Sequence, residues 1–451
     1  MSSIGAAAPS QSRPFLVMDD TVRSCDHFGG DWEVVECSSK AAYGCGALGQ
    51  HVVDGLSLLV RPGAHDDWDN YPELRIHVTD EARRRVALEA EVDDRTAKCY
   101  GREIRLYAAR IYAVDGDAGV MVLRVCFVRE SRAFRLYYLV YDSIAASFSL
   151  LPCLPSHCPA ACTKRPLIVR RQDSNGYSLV LMAVNSQPER PVLCLWPPTP
   201  SSEDACGVGP WGTKGRRDGA DGVFRAHVAF SGNGRAFWAD LARGVLHCDT
   251  ADLLDGDGEV GLSFIELPEE RRVPWTWDMH PVDMCRNMGC VVGEDGSATV
   301  WFVAVEPPPE WWSASDSESY PMDFLEAAEL SAASETRVEV WMLDLARPSQ
   351  RWEKQVELTM PSVWELDGFR ETGMPRAVPK YPILRQEEGG LVLYLLLRKY
   401  ARTEENLVGI NVSTMRLVSS RRFASLWSNR PVVLPPDFFH RGREEEGELA
   451  S

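Results

Sequence analysis

Five groups of short apolar runs recur along this chain, and their common order constrains the fold more strongly than any single motif. In each group a hairpin turns on Gly with Asp, Asn or Glu. A third run then ends in an acidic residue, as at residues 140–142, 238–240 and 342–344. Asn175-Gly176, between two alternating runs, is the strongest short-range hairpin signal in the sequence. The pattern predicts units of three antiparallel strands and a weaker fourth.

Four-stranded units spaced by roughly 45–80 residues are typical of propeller blades. One such unit cannot bury both faces of its sheet, so several must pack around a common axis. We therefore predict an all-β protein, a β-propeller of about six four-stranded blades (five to seven), as a single domain over residues 13–439. Residues 197–222 and 306–336 read as insertions, 1–12 as a flexible N-terminus, and 440–451 as a disordered charged tail.

Charge and composition exclude some classes of partner. The 451 residues carry a formal net charge of -17, which repels phosphate backbones and anionic membranes, so we expect no nucleic-acid or membrane partner. Residues 1–10 lack the charged and apolar segments of a targeting signal, and no apolar run reaches the roughly 18 residues of a membrane helix. We expect a cytoplasmic or nuclear protein whose 13 Cys are mostly buried thiols.

The clearest unit lies at residues 223–268. Its aromatic strand bends at Arg243-Gly244 and returns, with Asp240 and Asp249 at the strand ends, where short carboxylates accept hydrogen bonds from turn amides. The residues of this motif are Phe237, Trp238, Asp240, Leu241, Gly244, Cys248, Asp249, Leu267 and Pro268. We assign them a structural role.

This motif resembles the core of a plant family, domain of unknown function 1618, which is expanded in grasses. Residues 137–152 and 340–352 also resemble that family, and the likeness extends from roughly residue 100 to roughly residue 420. The family is similar in style to F-box-associated and kelch-type propellers. The resemblance implies an architecture and brings no established activity.

Motifs that could carry chemistry are incomplete. Residues 207–212 match G-x-G-x-x-G, but the flanking strand and helix of a nucleotide site are not predicted there. Cys153, His157, Cys158 and Cys162 are zinc-ligand types without a C-x-x-C pair, and His247 and Cys248 face opposite sides of a strand. The acidic turns at 66–70 and 255–258 lack the bidentate Glu of a calcium loop. We predict no catalytic, cofactor or metal residues.

Tryptophans divide into two groups. Those in predicted strands are expected to pack between blades; they are Trp238, Trp301, Trp341 and Trp352. Trp311 and Trp312 lie in a Pro-rich insertion, where exposed paired aromatics would anchor a partner, although they could also fold back onto the propeller.

Two functions remain open. The first is a non-enzymatic scaffold that binds protein partners through the loop-bearing face of the propeller, an interpretation by analogy. The alternative is a small-ligand-binding protein or hydrolytic enzyme that uses the central channel. Convergent polar groups at the starts of the inner strands would favour the alternative.

Overall fold

The computed structural model describes the greater part of the chain. The described residues are 16–25, 30–61, 73–93, 104–116, 118–129, 132–153, 160–161, 165–171, 176–186, 189–197, 210–218, 224–254, 258–273, 282–292, 298–308, 311, 322–347, 350–387, 390–398, 404–424 and 430–440. The predicted flexible N-terminus (1–12) and all but the first residue of the predicted tail lie outside them.

The N-terminal third combines strands with two helices. Its elements are β1 (Leu16–Asp19), β2 (Thr21–Cys25), β3 (Glu33–Val34), β4 (Ser39–Ala42), α1 (Gly46–Asp54), β5 (Leu56–Arg61), β6 (Glu73–Val78), α2 (Asp80–Asp93), β7 (Ile104–Asp115), β8 (Val120–Arg129), β9 (Arg132–Asp142) and β10 (Ser147–Pro152). Asp80 and Glu81 open α2, where acidic side chains stabilise a helix start, and Glu81 accepts a hydrogen bond from Nε of Arg85 at 2.8 Å.

The middle third is almost entirely strand. It contains β11 (Ala160–Ala161), β12 (Leu167–Arg170), β13 (Tyr177–Ser186), β14 (Glu189–Trp196), β15 (Gly212–Asp218), β16 (Val228–Gly232), β17 (Arg235–Asp240), β18 (Gly244–Asp249), α3 (Thr250–Leu254), β19 (Val260–Glu266) and a 3-10 turn at Glu269–Arg271. Apolar and aromatic residues bury the central strands of this part on both faces, as in β17 and β18.

The last third repeats the pattern. It contains α4 (Val282–Cys285), β20 (Arg286–Val292), β21 (Ala298–Glu306), α5 (Met322–Glu335), β22 (Arg337–Asp344), β23 (Trp352–Thr359), α6 (Met360–Trp364), β24 (Lys380–Glu387), β25 (Gly390–Arg398), β26 (Glu404–Asn411), β27 (Arg416–Ala424) and β28 (Pro431–Leu434). No helix of the described residues is long and apolar enough to cross a membrane.

Strand pairing divides most of the chain into five successive antiparallel units of four strands: β7–β10, β12–β15, β16–β19, β20–β23 and β24–β27. Parallel pairing of β15 with β19 joins the second and third units into one nine-stranded sheet. The first unit extends through β2, β6, β5 and β3 on one side and β4 on the other, also to nine strands. The protein is thus mostly β, with curled and nearly closed sheets.

The two ends of the described chain meet in a two-stranded sheet. β1 pairs antiparallel with β28, so that Val17 lies opposite Val433. Both side chains pack against an apolar cluster of the fifth unit that includes Tyr381 and Tyr394. This pairing places N-terminal and C-terminal segments together beside β24.

The apolar core lies mainly between neighbouring units. Trp238 and Leu246 of the third unit belong to one core cluster with Val180 of the second, and Phe237 shares a cluster with Phe302 of the fourth. Such face-to-face contacts bury both sides of each sheet, which one four-stranded unit cannot do alone. The first unit has a further core, in which α1 and α2 cover its extended sheet.

Three expectations need correction or refinement. Helices α1, α2 and α5 make the fold mostly β rather than all-β, and a six-bladed arrangement is not confirmed. The segment 197–222, read from the sequence as an insertion, contributes β15, which pairs with both β14 and β19. The predicted insertion 306–336 contributes helix α5.

Candidate functional site

The first strands of the five units face one cavity. Its volume is about 680 Å³, and its walls come from β7, β12, β16, β20 and β24, with residues 430–433 between the last strand and the first. The first strand of a unit is therefore the innermost one. A cavity of this size is within the range of small-molecule sites, which span about 300–1,000 Å³.

The inner strands enter the cavity from the same end. Asn287, near the start of β20, donates a hydrogen bond from Nδ2 to the carbonyl of Pro382, near the start of β24, at 2.9 Å. At the opposite end, a Cβ on Gly232 of β16 would lie 2.8 Å from Sγ of Cys290 in β20. Residues at strand starts therefore share one end of the cavity and residues at strand ends share the other.

Four polar residues line the cavity at the strand starts, and we call them the polar cluster: Asp20, Arg165, Asn287 and Arg430. The backbone N–H of Asp20 donates to the carbonyl of Arg430 at 3.1 Å, and its own carbonyl accepts from Ile111 of β7 at 2.7 Å. Nη2 of Arg430 donates to Oδ1 of Asn287 at 3.2 Å. Backbone and side-chain contacts thus hold Asp20, Asn287 and Arg430 where the chain ends meet.

Two buried atoms of the polar cluster lack hydrogen-bond partners among the described residues. They are Oδ1 of Asp20 and Nη1 of Arg430, an acceptor and a donor. Burial raises the pKa of Asp20 to about 6, although Arg110, Arg165 and Arg430 oppose the shift. Desolvation and the charge of Arg165 lower the pKa of Arg430 to about 9, although the guanidinium still borders the cavity.

Three further polar side chains surround the polar cluster. Asp283 and Tyr381 lie close enough to Arg430 to interact with it electrostatically, and His227 lies within electrostatic reach of Asp283 and Arg165. Tyr381 has a φ of 49° at an irregularity in β24, a left-handed conformation that an aromatic residue rarely adopts. Strained backbone of this kind is found preferentially at ligand sites.

His227 is held by the motif that stands out in the sequence. The backbone N–H of Leu241 donates to Nδ1 of His227 at 3.3 Å, so Nδ1 is an acceptor and the remaining proton lies on Nε2. Burial lowers the pKa of His227, although Asp240 and Asp283 oppose this. The motif thereby fixes a neutral imidazole next to the polar cluster.

The other motif residues lie in turns or in the core. Oδ1 of Asp240 accepts from the backbone N–H of Ala242 at 3.0 Å, while Asp249 is mostly exposed and lies 3.4 Å from Nε of Arg235. Phe237, Trp238, Leu241, Gly244, Cys248 and Leu267 are buried, and Pro268 is half-buried.

The structure places the tryptophans of the predicted strands in clusters between units, as expected, and it also buries Trp311 of the insertion. Trp238, Trp301 and Trp341 are buried, and Trp352 is half-buried, all in clusters between units. Trp311 is 6 % exposed and packs in the core of the fourth and fifth units, so its indole does not present the exposed surface expected of an anchor. Trp312 lies outside the described residues.

Most of the remaining sequence candidates lie outside the residues that the structure describes. His157, Cys158, Cys162, residues 207–209, 66–70 and 255–257 lie outside the described residues. Cys153 is described, and burial raises the pKa of its thiol to about 12, which is unlike a reactive thiol. Within the described ranges no three His, Cys, Asp or Glu side chains form a group that could hold a metal ion.

Sequence reasoning did not identify the polar cluster. Its members come from four separate parts of the chain, and none stands in a recognisable local motif. The one feature of the sequence that could have indicated the cluster is position, because Arg165 and Asn287 lie within two residues of the start of an inner strand.

Comparisons with solved structures give only distant likenesses. A β-fructofuranosidase of Bombyx mori has a TM-score of 0.29 and 11% identity, covering 75% of this chain and 69% of that one. An exo-β-1,3-galactanase of Clostridium thermocellum has a TM-score of 0.27 and 8% identity, covering 92% and 88%. A levansucrase of B. megaterium has a TM-score of 0.25 and 7% identity, covering 68% and 67%. Scores this low establish neither a shared fold nor a shared activity.

The family comparison concerns the segment from the aromatic strand of the motif to the middle of β25. No curated protein matches the chain significantly. Residues 238–394 match the model of a family described as protein of unknown function, DUF1618, and this match supports the family that the motif resembles.

Proposed function

We propose that the five units are the blades of a β-propeller and that its central cavity binds a small ligand at the polar cluster. The proposal extends to the finer likeness with F-box-associated and kelch-type propellers of plants. One observation carries it: buried Oδ1 of Asp20 and Nη1 of Arg430 lack partners within the described structure. Leaving such groups unsatisfied costs about 1–3 kcal/mol each, and a bound polar group would remove that cost.

The ligand group that fits must both donate and accept. Asp20 offers an acceptor when ionised and Arg430 offers a donor, so a hydroxyl or a carboxamide satisfies both atoms. Asp20 could also exchange a proton near neutral pH, because burial raises its pKa to about 6. Among the described lining residues the other carboxylate is Asp115, at the opposite end. We therefore propose binding without turnover.

Binding is tested with defined probes that carry hydroxyl or carboxyl groups: glycerol, glucose, myo-inositol and succinate, each at about 10 mM. At ten times a millimolar Kd, a ligand raises Tm of a protein this large by about 1–2 °C. We expect at least one probe to stabilise the wild type and Arg217→Gln, whose side chain is 78% exposed, but not Arg430→Gln. Equal responses of the two variants, or none with any probe, would contradict the proposal.

The protein-binding scaffold is a second proposal. Its predicted anchor, Trp311, is buried, and Trp312 lies outside the described residues, so no particular contact favours it over the cavity. A pull-down that compares the intact chain with one lacking residues 306–336 tests it, because the scaffold function predicts partners that depend on this segment.

A further inference from the structure

Beyond the polar cluster, towards the strand ends, the described lining of the cavity is mostly apolar. One apolar residue from each of the five inner strands and one from β28 lie in this section, and we call them the apolar wall: Ala113, Ile168, Phe230, Cys290, Ile383 and Val432. Ile168 is buried and the other five are half-buried, as residues at the border of an internal space are. The apolar wall therefore surrounds the cavity rather than forming a patch on one side.

Two hydroxyl groups border the same section, and each already has a partner. Oγ of Ser231 donates a hydrogen bond to the carbonyl of Ile168 at 2.9 Å, and the hydroxyl of Tyr112 accepts one from Nη1 of Arg124 at 2.7 Å. Burial raises the pKa of the Cys290 thiol to about 11, so this side chain is uncharged and acts as a small apolar group. Among the described residues of this section, no buried side-chain N or O atom lacks a hydrogen-bond partner.

We propose that the ligand of the polar cluster is amphipathic, with a hydroxyl or carboxamide head group at Asp20 and Arg430 and a hydrocarbon body along the apolar wall. This inference rests on the proposed function and adds the part of the ligand that lies beyond the polar cluster. Small-molecule sites combine mainly apolar walls with a few polar groups that fix the orientation of the ligand, and the cavity has both.

The dimensions of the cavity fit such a ligand. The five residues of β16 span about 13 Å, at about 3.3 Å per residue. An extended chain of about eight carbons, joined by bonds of about 1.5 Å, is shorter than this strand. A linear ligand of this size can therefore reach from the polar cluster along the apolar wall without leaving the cavity.

The test is a series of linear alcohols: butan-1-ol, pentan-1-ol, hexan-1-ol and heptan-1-ol. Their single hydroxyl both donates, to Oδ1 of Asp20, and accepts, from Nη1 of Arg430. Ligand-observed NMR titrations of the full chain measure each Kd. Because each methylene that leaves water for an apolar site favours binding, we expect each added carbon to lower Kd about two- to fourfold.

A Kd that stays constant along the series, or no binding by any alcohol, would overturn the inference. The proposed function would survive either result if glycerol, glucose, myo-inositol or succinate stabilised the protein as described above. Failure of those four probes together with the alcohols would overturn both proposals.

A matched ether separates the head group from the body. 1-Methoxypentane is an isomer of hexan-1-ol that accepts a hydrogen bond but cannot donate one, so we expect it to bind the wild type at least fivefold more weakly. Arg430→Gln should weaken all four alcohols by a similar factor and keep the dependence on chain length, because the apolar wall is unchanged. Equal binding of ether and alcohol, with no effect of Arg430→Gln, would show that hydrocarbon binds without the polar cluster and would overturn the inference.

The position of the body is tested by Val432→Thr, which adds a hydroxyl to the apolar wall with little change in shape. We expect it to weaken hexan-1-ol at least threefold, whereas Val418→Thr, at a residue 47% exposed on the outer strand β27, should leave Kd unchanged. Ile383→Thr compared with Ile383→Val gives a second pair of similar shape should Val432→Thr not fold. Wild-type affinity in Val432→Thr, together with equal affinities of Ile383→Thr and Ile383→Val, would overturn the inference.

Discussion

Asp20 and Arg430 are joined backbone to backbone by a 3.1 Å hydrogen bond, while Oδ1 of Asp20 and Nη1 of Arg430 have no hydrogen-bond partner within the described residues. The bond continues the β1–β28 pairing, so the contact that brings the two ends of the described chain together also completes the polar cluster. Closure of the fold and formation of the candidate site therefore depend on the same few residues.

Removing the charge of Asp20 should stabilise the protein above pH 6. Burial raises its pKa from 3.8 to about 6, so between these values the folded protein binds more protons than the unfolded chain and loses stability as the pH rises. We expect Asp20→Asn to match the wild type near pH 4 and to exceed it by about 3 kcal/mol above pH 6. Urea unfolding at a series of pH values measures the difference.

Asp367→Asn is the matched control for this series, because Asp367 is exposed. It should follow the wild type throughout. A constant effect of Asp20→Asn from pH 4 to pH 8 would show that Asp20 does not titrate in this range.

Closure of the fold is tested by a disulfide between β1 and β28. Val17 and Val433 are direct antiparallel partners, whose Cα atoms lie about 4.5–5.5 Å apart in such pairs, a separation that a disulfide spans. Val17→Cys with Val433→Cys should form a cross-link, found by mass spectrometry of the linked peptides, and should raise Tm. Val17→Cys with Val432→Cys directs the two thiols to opposite faces and should not cross-link. Equal yields from both pairs would argue against the register.

A buried ion pair connects the third and fourth units. Arg271 donates to both carboxylate oxygens of Glu339 at 2.6 Å, and Glu339 is 1% exposed. Arg271→Met should lower the free energy of unfolding by about 3 kcal/mol, because it leaves a buried carboxylate with weaker partners. The adjacent Arg272 pairs with Glu266 at the surface, so Arg272→Met should cost less than about 1 kcal/mol. If Arg271→Met and Arg272→Met lower the free energy of unfolding by similar amounts in urea, the Arg271–Glu339 pair contributes no more than the surface pair.

Gly244 of the central motif has no room for a side chain. A Cβ there would overlap the carbonyl oxygen of Ile265 and lie 2.7 Å from the ring of Phe264. We expect Gly244→Ala to destabilise the protein by about 2 kcal/mol in urea unfolding. Gly261 in the neighbouring strand has open space around its Cα, so Gly261→Ala should be neutral or slightly stabilising. An equally tolerated Gly244→Ala would show that β18 and β19 are further apart.

Local pattern predicted the strands well and their assembly less well. The bend at Arg243-Gly244 lies where β17 turns into β18, because turn residues and alternating apolar residues act over a few positions. Helix α1 was missed, since its sequence contains two glycines and no strong helix signal. The segment that contains β15 shows no strand periodicity in its sequence. It forms a strand because it pairs with β14 on one side and β19 on the other.

Local sequence pattern could not predict the candidate site. Asp20, Arg165, Asn287 and Arg430 converge only because the inner strands start at one end of the cavity. Trp311 shows the opposite error. Its Pro-rich surroundings suggested an exposed side chain, but Trp311 is buried in the core of the fourth and fifth units. In both cases contacts between residues distant in sequence decide the outcome.

The most direct test of ligand binding at the polar cluster is a crystal structure, determined after soaking with the probe that most stabilises the protein. We predict ordered ligand density with one polar atom about 3 Å from both Oδ1 of Asp20 and Nη1 of Arg430. Density elsewhere, or a direct hydrogen bond between these two side-chain atoms that leaves no room for a ligand, would contradict the account.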